Sequence, residues 1–145
     1  MANEARKILA HQRGLQRELK KFTTVMGTEA VKFFKDSFRN EGFTDTALEK
    51  WPKRKREDRN RKKRGILVKT GTLKRSVRVV SKTFNSVTIG SKTPGDYGEV
   101  HNEGLRSGRR GARFMMPKRQ FMGNSRKLTG ILKMKLNRRI TSIIR

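Results

Sequence analysis

The segment GILVKTGTLKRSVRVVSKTFNSVTIGSKTPGDYGEVHNEG, residues 65–104, decides how the rest of the chain is read. Leu73, Val77 and Val79, with Val80 and Phe84 beyond them, read as a strand, and Val87 and Ile89 as its returning partner. Thr70-Gly71 marks the start and Gly90 the exit, both turn positions where a residue without a Cβ is useful. Lys74, Arg75 and Arg78 interrupt the apolar residues, an imperfect alternation that predicts a sheet with one face on a core and the other in water. The segments on either side carry helical patterns, which makes the hairpin the expected surface for both to pack on.

Upstream, Ile8, Leu9, Leu15, Leu19, Phe22, Met26, Ala30, Phe33, Phe34 and Phe38 recur at helical spacings and form an apolar stripe. Gly14 and Gly27 lie inside it, and Thr24 suits an N-cap, so two helices or one kinked helix are expected, with a break near Phe22–Thr24. Asn40-Glu41-Gly42 should end the helical part through a glycine C-cap, followed by a loop over residues 42–52. Trp51, the only tryptophan, is expected to anchor the helices over the sheet. Downstream, Leu128, Leu132, Leu136, Ile140 and Ile144 recur every fourth residue, with Asn124 or Ser125 as the cap. The fold class expected is α+β: N-terminal helices and a C-terminal helix packed on a small antiparallel β-sheet. One domain is expected over residues 1–145, with a helical part (1–41), a basic loop (53–64), a β-rich part (65–122) and a terminal helix (124–145).

Charge is extreme and uneven. The 38 Lys and Arg against 12 Asp and Glu give +26. Residues 1–49 hold nine bases and seven acids, a net of +2, and residues 50–145 carry the remaining +24, with no acid after Glu103. Such a balance favours a polyanionic partner, nucleic acid or an acidic protein surface. Only 32% of residues are hydrophobic, which implies a thin core or one completed by other subunits. With no cysteine there is neither disulfide nor thiolate chemistry. The N-terminal MANEARKILAHQRG has no signal-peptide run and no stretch reaches the length of a membrane span, so a soluble protein is expected.

The cations gather in two loops. KRKREDRNRKKR, residues 53–64, holds nine bases and two acids, and LRSGRRGAR, residues 105–113, is a glycine-spaced arginine loop. Lys53, Arg54, Lys55, Arg56, Arg61, Lys62, Lys63 and Arg64 in the first, with Arg106, Arg109, Arg110 and Arg113 in the second, are the candidates to face DNA or a partner. Solvated loops read the same way, and both readings stand open. Phe114–Pro117 reads as an edge strand. Tyr97, Val100 and His101 fall on a short helical turn ended by Gly104. Asp96, Glu99, His101 and Glu103 are the residues a metal-dependent nuclease would use, yet one loop supplies them all, and His101 points away from the face Glu99 and Glu103 share. A structural His101 and a non-enzymatic chain follow; no metal and no cofactor is implied.

The motifs come in a telling order. F-x-x-x-G (Phe38–Gly42) leads to Trp51-Pro52 and the basic spacer, then I-L-x-x-T-G-x-L-x-x-S (Ile66–Ser76) and V-x-I-G (Val87–Gly90). Y-G-x-V-H-N-x-G (Tyr97–Gly104) and P-x-R-x-F-M-G (Pro117–Gly123) precede the last helix. Across roughly residues 24–130 this resembles the virion-morphogenesis, or tail-completion, proteins of tailed bacteriophages, including the Mu-like G proteins. The resemblance implies a small α+β subunit of the head–tail junction, assembled in the host cytoplasm. It also implies a ring, often hexameric, that meets connector or head-closure and tail proteins and surrounds passing double-stranded DNA without reading its sequence. Carried over by position, Trp51, Leu67, Gly71, Leu73, Tyr97, His101, Gly104, Pro117, Arg119 and Phe121 would define the fold. The chain departs from the pattern at Gly98, where the family usually has alanine, and in its high charge. The alternative class is a sequence-independent nucleic-acid-binding protein, ribosome-associated or genome-packaging. Against it, the aromatics sit in apolar patterns rather than between the bases.

Overall fold

The computed structural model describes residues 2–54, 64–108 and 113–144. Its longest element is a helix, α1 (Ala2–Asn40), that runs unbroken for 39 residues, about 58 Å at the usual rise. The expected break near Phe22–Thr24 is therefore absent. Thr23 is buried and its hydroxyl donates back to the Lys20 carbonyl (2.9 Å), while the Thr24 carbonyl accepts from Thr28 Oγ1 (3.1 Å), so both threonines sit in the helix and neither caps one. Gly27 marks an approach, not an end. A Cβ there would lie 2.9 Å from Val79 Cγ2 and 3.2 Å from Val87 Cγ2 on the hairpin that crosses the helix.

At its C-terminus α1 stops on Glu41, which takes φ 48°, and Lys50 Nζ donates to the Asn40 carbonyl at 2.7 Å. The left-handed residue is thus Glu41 and not the expected Gly42. Its carboxylate is employed as well, accepting from the Ile66 N–H at 2.6 Å. Gly42 instead opens a strand: β1 (Gly42–Thr44) pairs antiparallel with β2 (Leu48–Lys50), replacing the loop expected over 42–52. A Cβ on Gly42 would collide with the Glu49 carbonyl oxygen across the pair. Gly130, by contrast, is exposed inside the last helix, with nothing within 4 Å of its would-be Cβ. Gly42→Ala is expected to cost about 1–3 kcal/mol through this clash, and Gly130→Ala to stabilise by about 0.5–1 kcal/mol. Urea midpoints moving in opposite directions would check the pair.

The 65–104 segment folds as a short helix leading into a hairpin. α2 (Thr72–Ser76) carries the buried Leu73, so that residue is helical and not, as expected, in the strand. Gly71 (φ 74°) starts α2. β3 (Val77–Lys82) pairs antiparallel with β4 (Val87–Ser91), with a bulge between Val79 and Ser81 and Phe84 in the tip. Gly90, expected as the exit turn, lies in β4 opposite Arg78, and a Cβ there would sit 2.6 Å from Val80 Cγ2. The hairpin has an inner end and an open end: Val77 is fully buried, while Val80 is 63% exposed. After a 3₁₀ turn at Pro94–Asp96 comes α3 (Tyr97–Glu103), ended as expected by Gly104 (φ 73°), whose N–H meets the Val100 carbonyl. Gly98, the departure from the family pattern, lies buried under Leu73, Ser91 and Thr93, where a Cβ would stand 3.1–3.2 Å from all three. β5 (Arg106–Ser107) pairs with β6 (Phe114–Met115).

The last helix, α4 (Arg126–Ile144), starts at the expected cap: Ser125 Oγ accepts from the Leu128 N–H at 3.1 Å. The turn between β1 and β2 completes that terminus. Asp45 Oδ1 takes the Arg126 N–H (2.7 Å), the Asp45 carbonyl takes the Lys127 N–H (3.0 Å), and Ser125 Oγ donates to the Thr44 carbonyl (2.8 Å). From there α4 runs back along α1, with Ile143 beside Gly14. The architecture is α+β, and the strands among the described residues form three separate antiparallel pairs. The surface on which the other elements pack is α1 rather than the β3–β4 hairpin. The core gathers Phe34 and Phe38 of α1, Phe43, Trp51, Leu73, Val77, Phe121 and Leu128.

Candidate functional site

The motif residues converge on the C-terminal end of α1. Trp51 is buried edge-on to Phe38 (centroids 5.7 Å apart), and its indole N–H donates to the Gln120 carbonyl at 2.6 Å, so it ties α1 to the 120–122 segment. Phe121, 1% exposed, lies 5.1 Å from the same Phe38 ring. Arg119 is buried too. Its Nε and Nη2 donate to the Pro52 carbonyl at 3.1 and 3.0 Å, and its own N–H donates to the His101 carbonyl at 2.7 Å. Gly104 holds its left-handed turn against the Lys118 backbone, with a would-be Cβ 3.1 Å from Lys118 N and Cα. Tyr97 packs edge-on to His101, Leu67 lies half-buried over the core, and Pro117 is half-buried beside this strand-like run. Segments as far apart in sequence as Trp51 and Phe121 are thereby tied together through backbone carbonyls.

Asn102 is the residue that sequence reasoning passed over. Its Oδ1 accepts from both the Phe121 and Met122 N–H groups, at 2.9 and 3.0 Å, and so fixes the buried segment against α3. Its place as the fixed Asn of the Y-G-x-V-H-N-x-G motif, two residues before the helix-ending Gly104, is the signal that pointed to it. Asp96, Glu99 and Glu103 are exposed, while His101 turns inward. Among the described residues no group of three His, Asp or Glu side chains could hold a metal ion.

Burial lowers the His101 pKa from its ordinary value, and the nearby Arg119 cation lowers it further. The fold therefore favours neutral imidazole. Stability linked to this group is fully present above its unfolded pKa, about 6.5, and is lost as the pH falls below that value toward the folded pKa. Urea midpoints at pH 7.5 and 5.5 should show this loss, and His101→Gln should shrink the difference.

The cations divide into three groups. Some are structural: Arg54 Nη2 donates to the Gly65 carbonyl (2.7 Å) and Arg64 Nη1 to the Lys69 carbonyl (3.1 Å). Others join the helices: Lys135 meets Glu29 at 2.5 Å and Arg139 meets Glu18 at 2.9 Å. Lys21 and Arg139 together hold the Glu18 carboxyl below its usual range, the Lys21 hydrogen bond first. The third group is exposed: Lys53, Arg106 and Arg113, with Arg126, Lys127, Lys133 and Arg138 on α4, a helix without an acid. Lys55, Arg56, Arg61, Lys62, Lys63, Arg109 and Arg110 lie outside the described residues.

Large apolar side chains share this surface. Ile8 (68%) and Leu9 (50%) stand out on the first turns of α1, so the start of the expected apolar stripe is not core, while Phe22, Ala30, Phe34 and Phe38 are buried. Phe84 at the hairpin tip is 53% exposed and lines a groove of about 1020 Å³ with Arg13, Arg17, Lys20 and Lys82. Met115 (62%) and Phe114 (54%) are exposed on β6. No helix among the described residues is long and apolar enough to cross a membrane.

A family model described as the phage virion morphogenesis family matches residues 2–138. Neither a curated protein nor a solved structure gives a significant match.

Proposed function

As the chain belongs to the phage virion morphogenesis family, its role is in virion structure and assembly, and we propose that it works at the head–tail junction. There it is a neck subunit, tail completion or tail terminator, that closes with copies of itself into a ring, expected to be hexameric. The ring joins connector or head-closure proteins to the tail and surrounds the DNA passage. The observation that carries this reading is the apolar surface a lone subunit leaves in water: Ile8 and Leu9 on the projecting turns of α1, Phe84 at the hairpin tip, and Phe114 and Met115 on β6. These lie on three separate elements, and a heterologous ring contact uses two different faces of each subunit. Four cations of α4, Arg126, Lys127, Lys133 and Arg138, are exposed while Lys135 and Arg139 pair with α1, and the exposed four give the assembly a positive surface toward a passing polyanion.

Sedimentation velocity and negative-stain images over a concentration series test the proposal. Closed rings are expected, alone or on a connector, and Ile8→Asp with Leu9→Asp should hold the chain monomeric with an unchanged circular dichroism spectrum. A monomer inert toward connector components at every concentration overturns it.

One observation favours the alternative, a sequence-independent nucleic-acid-binding protein. Phe84 stands exposed among Arg13, Arg17, Lys20 and Lys82, a pairing of aromatic and cations that the sequence hides because the hairpin brings it onto α1. Affinity for single strands that survives high salt and is lost on Phe84→Ala would promote that reading.

A further inference from the structure

A second, smaller cavity lies between the 64–73 segment and α3, away from the exposed apolar surface. It holds about 320 Å³ and is lined by Arg54, Lys69, Arg119, Tyr97 and His101, with no acid among its described walls. Two features mark it as a place where something binds. The first is His101 Nδ1, a buried ring nitrogen with no hydrogen-bond partner among the described residues. Buried polar atoms nearly always have a partner, and an orphan needs a reason. The second is a buried cation with no acidic partner among the described residues. Arg119 is only 8% exposed, and its guanidinium donates to the Pro52 and Lys53 carbonyls, neutral acceptors that orient the cation without cancelling it. In the cavity wall Leu67 takes φ 60°, a conformation rare for a bulky side chain, between the Glu41 carboxylate's hydrogen bond to Ile66 N and that of the Val68 N–H to the Gly65 carbonyl.

We propose that this pocket binds a small oxyanion, a phosphate or a carboxylate, with Arg119 and Lys69 supplying the charge and His101 donating from Nδ1–H. The size suits it: the cavity admits one such group with a short apolar body against Leu67 and Tyr97. The anion would satisfy the orphan nitrogen and offset the arginine at once, two deficits that one neutral ligand could not meet. Burial first, and the Arg119 cation second, now disfavour imidazolium, and a bound anion would offset the second of these.

The chain carries its own control. It has two histidines, and the other, His11, lies on the exposed start of α1 with Nδ1 at the Lys7 carbonyl. Imidazole ¹H–¹⁵N spectra of the full chain should be followed while sodium phosphate, or separately sodium acetate, replaces sodium chloride at constant ionic strength. A saturable shift of His101, absent from His11, is expected with at least one oxyanion. Saturation by phosphate alone assigns a phosphate group, and by acetate a carboxylate. Lys69→Gln, an exposed substitution, should weaken the binding on the order of five- to tenfold. The assignment is overturned if His101 merely drifts in step with His11 under both anions, or if its response is unchanged in Lys69→Gln.

Discussion

Phe121→Ala should cost about 3–5 kcal/mol of folding stability, enough to leave much of the chain unfolded at ordinary temperatures. The size follows from where the ring sits. Phe121 is 1% exposed, its ring is 5.1 Å from Phe38, and its backbone N–H is held by Asn102. The cavity left by an alanine cannot collapse, because its walls are fixed independently: Trp51 by the Gln120 carbonyl, Arg119 by Pro52, and Phe38 by the continuous α1. A domain of this size has about 5–15 kcal/mol to lose, and a charge of +26 acts against compaction before any mutation is made. Urea denaturation followed by the tryptophan signal reads the change directly, since Trp51 is the sole tryptophan and lies in the same cluster. Asn102→Ala, which frees the Phe121 and Met122 N–H groups without opening a cavity, should cost less, about 1–3 kcal/mol. A Phe121→Ala protein as stable as the wild type would mean that the motif residues do not form the packed centre described above.

How much of this was legible beforehand depends on how local each element's causes are. The last helix was plain: Leu128 to Ile144 repeat every fourth residue and Ser125 precedes them, and cap and stripe are both properties of adjacent residues. Gly104 was plain for the same reason. The continuity of α1 was not. Gly27 and two threonines look like a break when read alone; the threonines are held by hydrogen bonds within the helix, and the reason for Gly27 lies more than fifty residues away, in the Val79 and Val87 methyl groups that need the space. The β1–β2 hairpin was equally hidden, since Leu48–Lys50 is exposed throughout and the turn owes its shape to capping α4. The motif cluster showed the same split. Its members were identifiable by their order, but the burial of Arg119 depends on carbonyls at Pro52 and Lys53, and a distant backbone carbonyl leaves no mark in sequence. Charge totals were readable while the direction each cation faces was not. Lys135 and Arg139 turn to α1, and Arg126, Lys127, Lys133 and Arg138 to water.

That division of cations sets the other large effect. Duplex DNA should bind the purified protein strongly at low salt and lose about 10³–10⁵ in affinity between 50 and 200 mM salt if 6–10 phosphates are neutralised. The exposed bases are numerous enough for this: four on α4, with Lys53, Arg106 and Arg113 elsewhere on the surface. Arg126 does reach an acid, Asp45, but at a long 3.7 Å and from a largely solvated position, so it too can turn to a phosphate. Release of counterions, rather than any base contact, is then the source of the affinity. Two duplexes of equal length and unrelated sequence should therefore give superimposable curves by fluorescence anisotropy. Replacing Lys127, Lys133 and Arg138 with Gln should flatten the log–log slope by roughly 0.9 for each phosphate that is no longer neutralised, leaving the fold untouched because these side chains face water. Such steepness would also suit the proposed passage, since a surface that holds DNA weakly at intracellular salt would line a channel without trapping a genome that leaves through it. A shallow slope, or a preference between the two duplexes, would instead mean that the protein reads DNA, and the passage would no longer account for its charge.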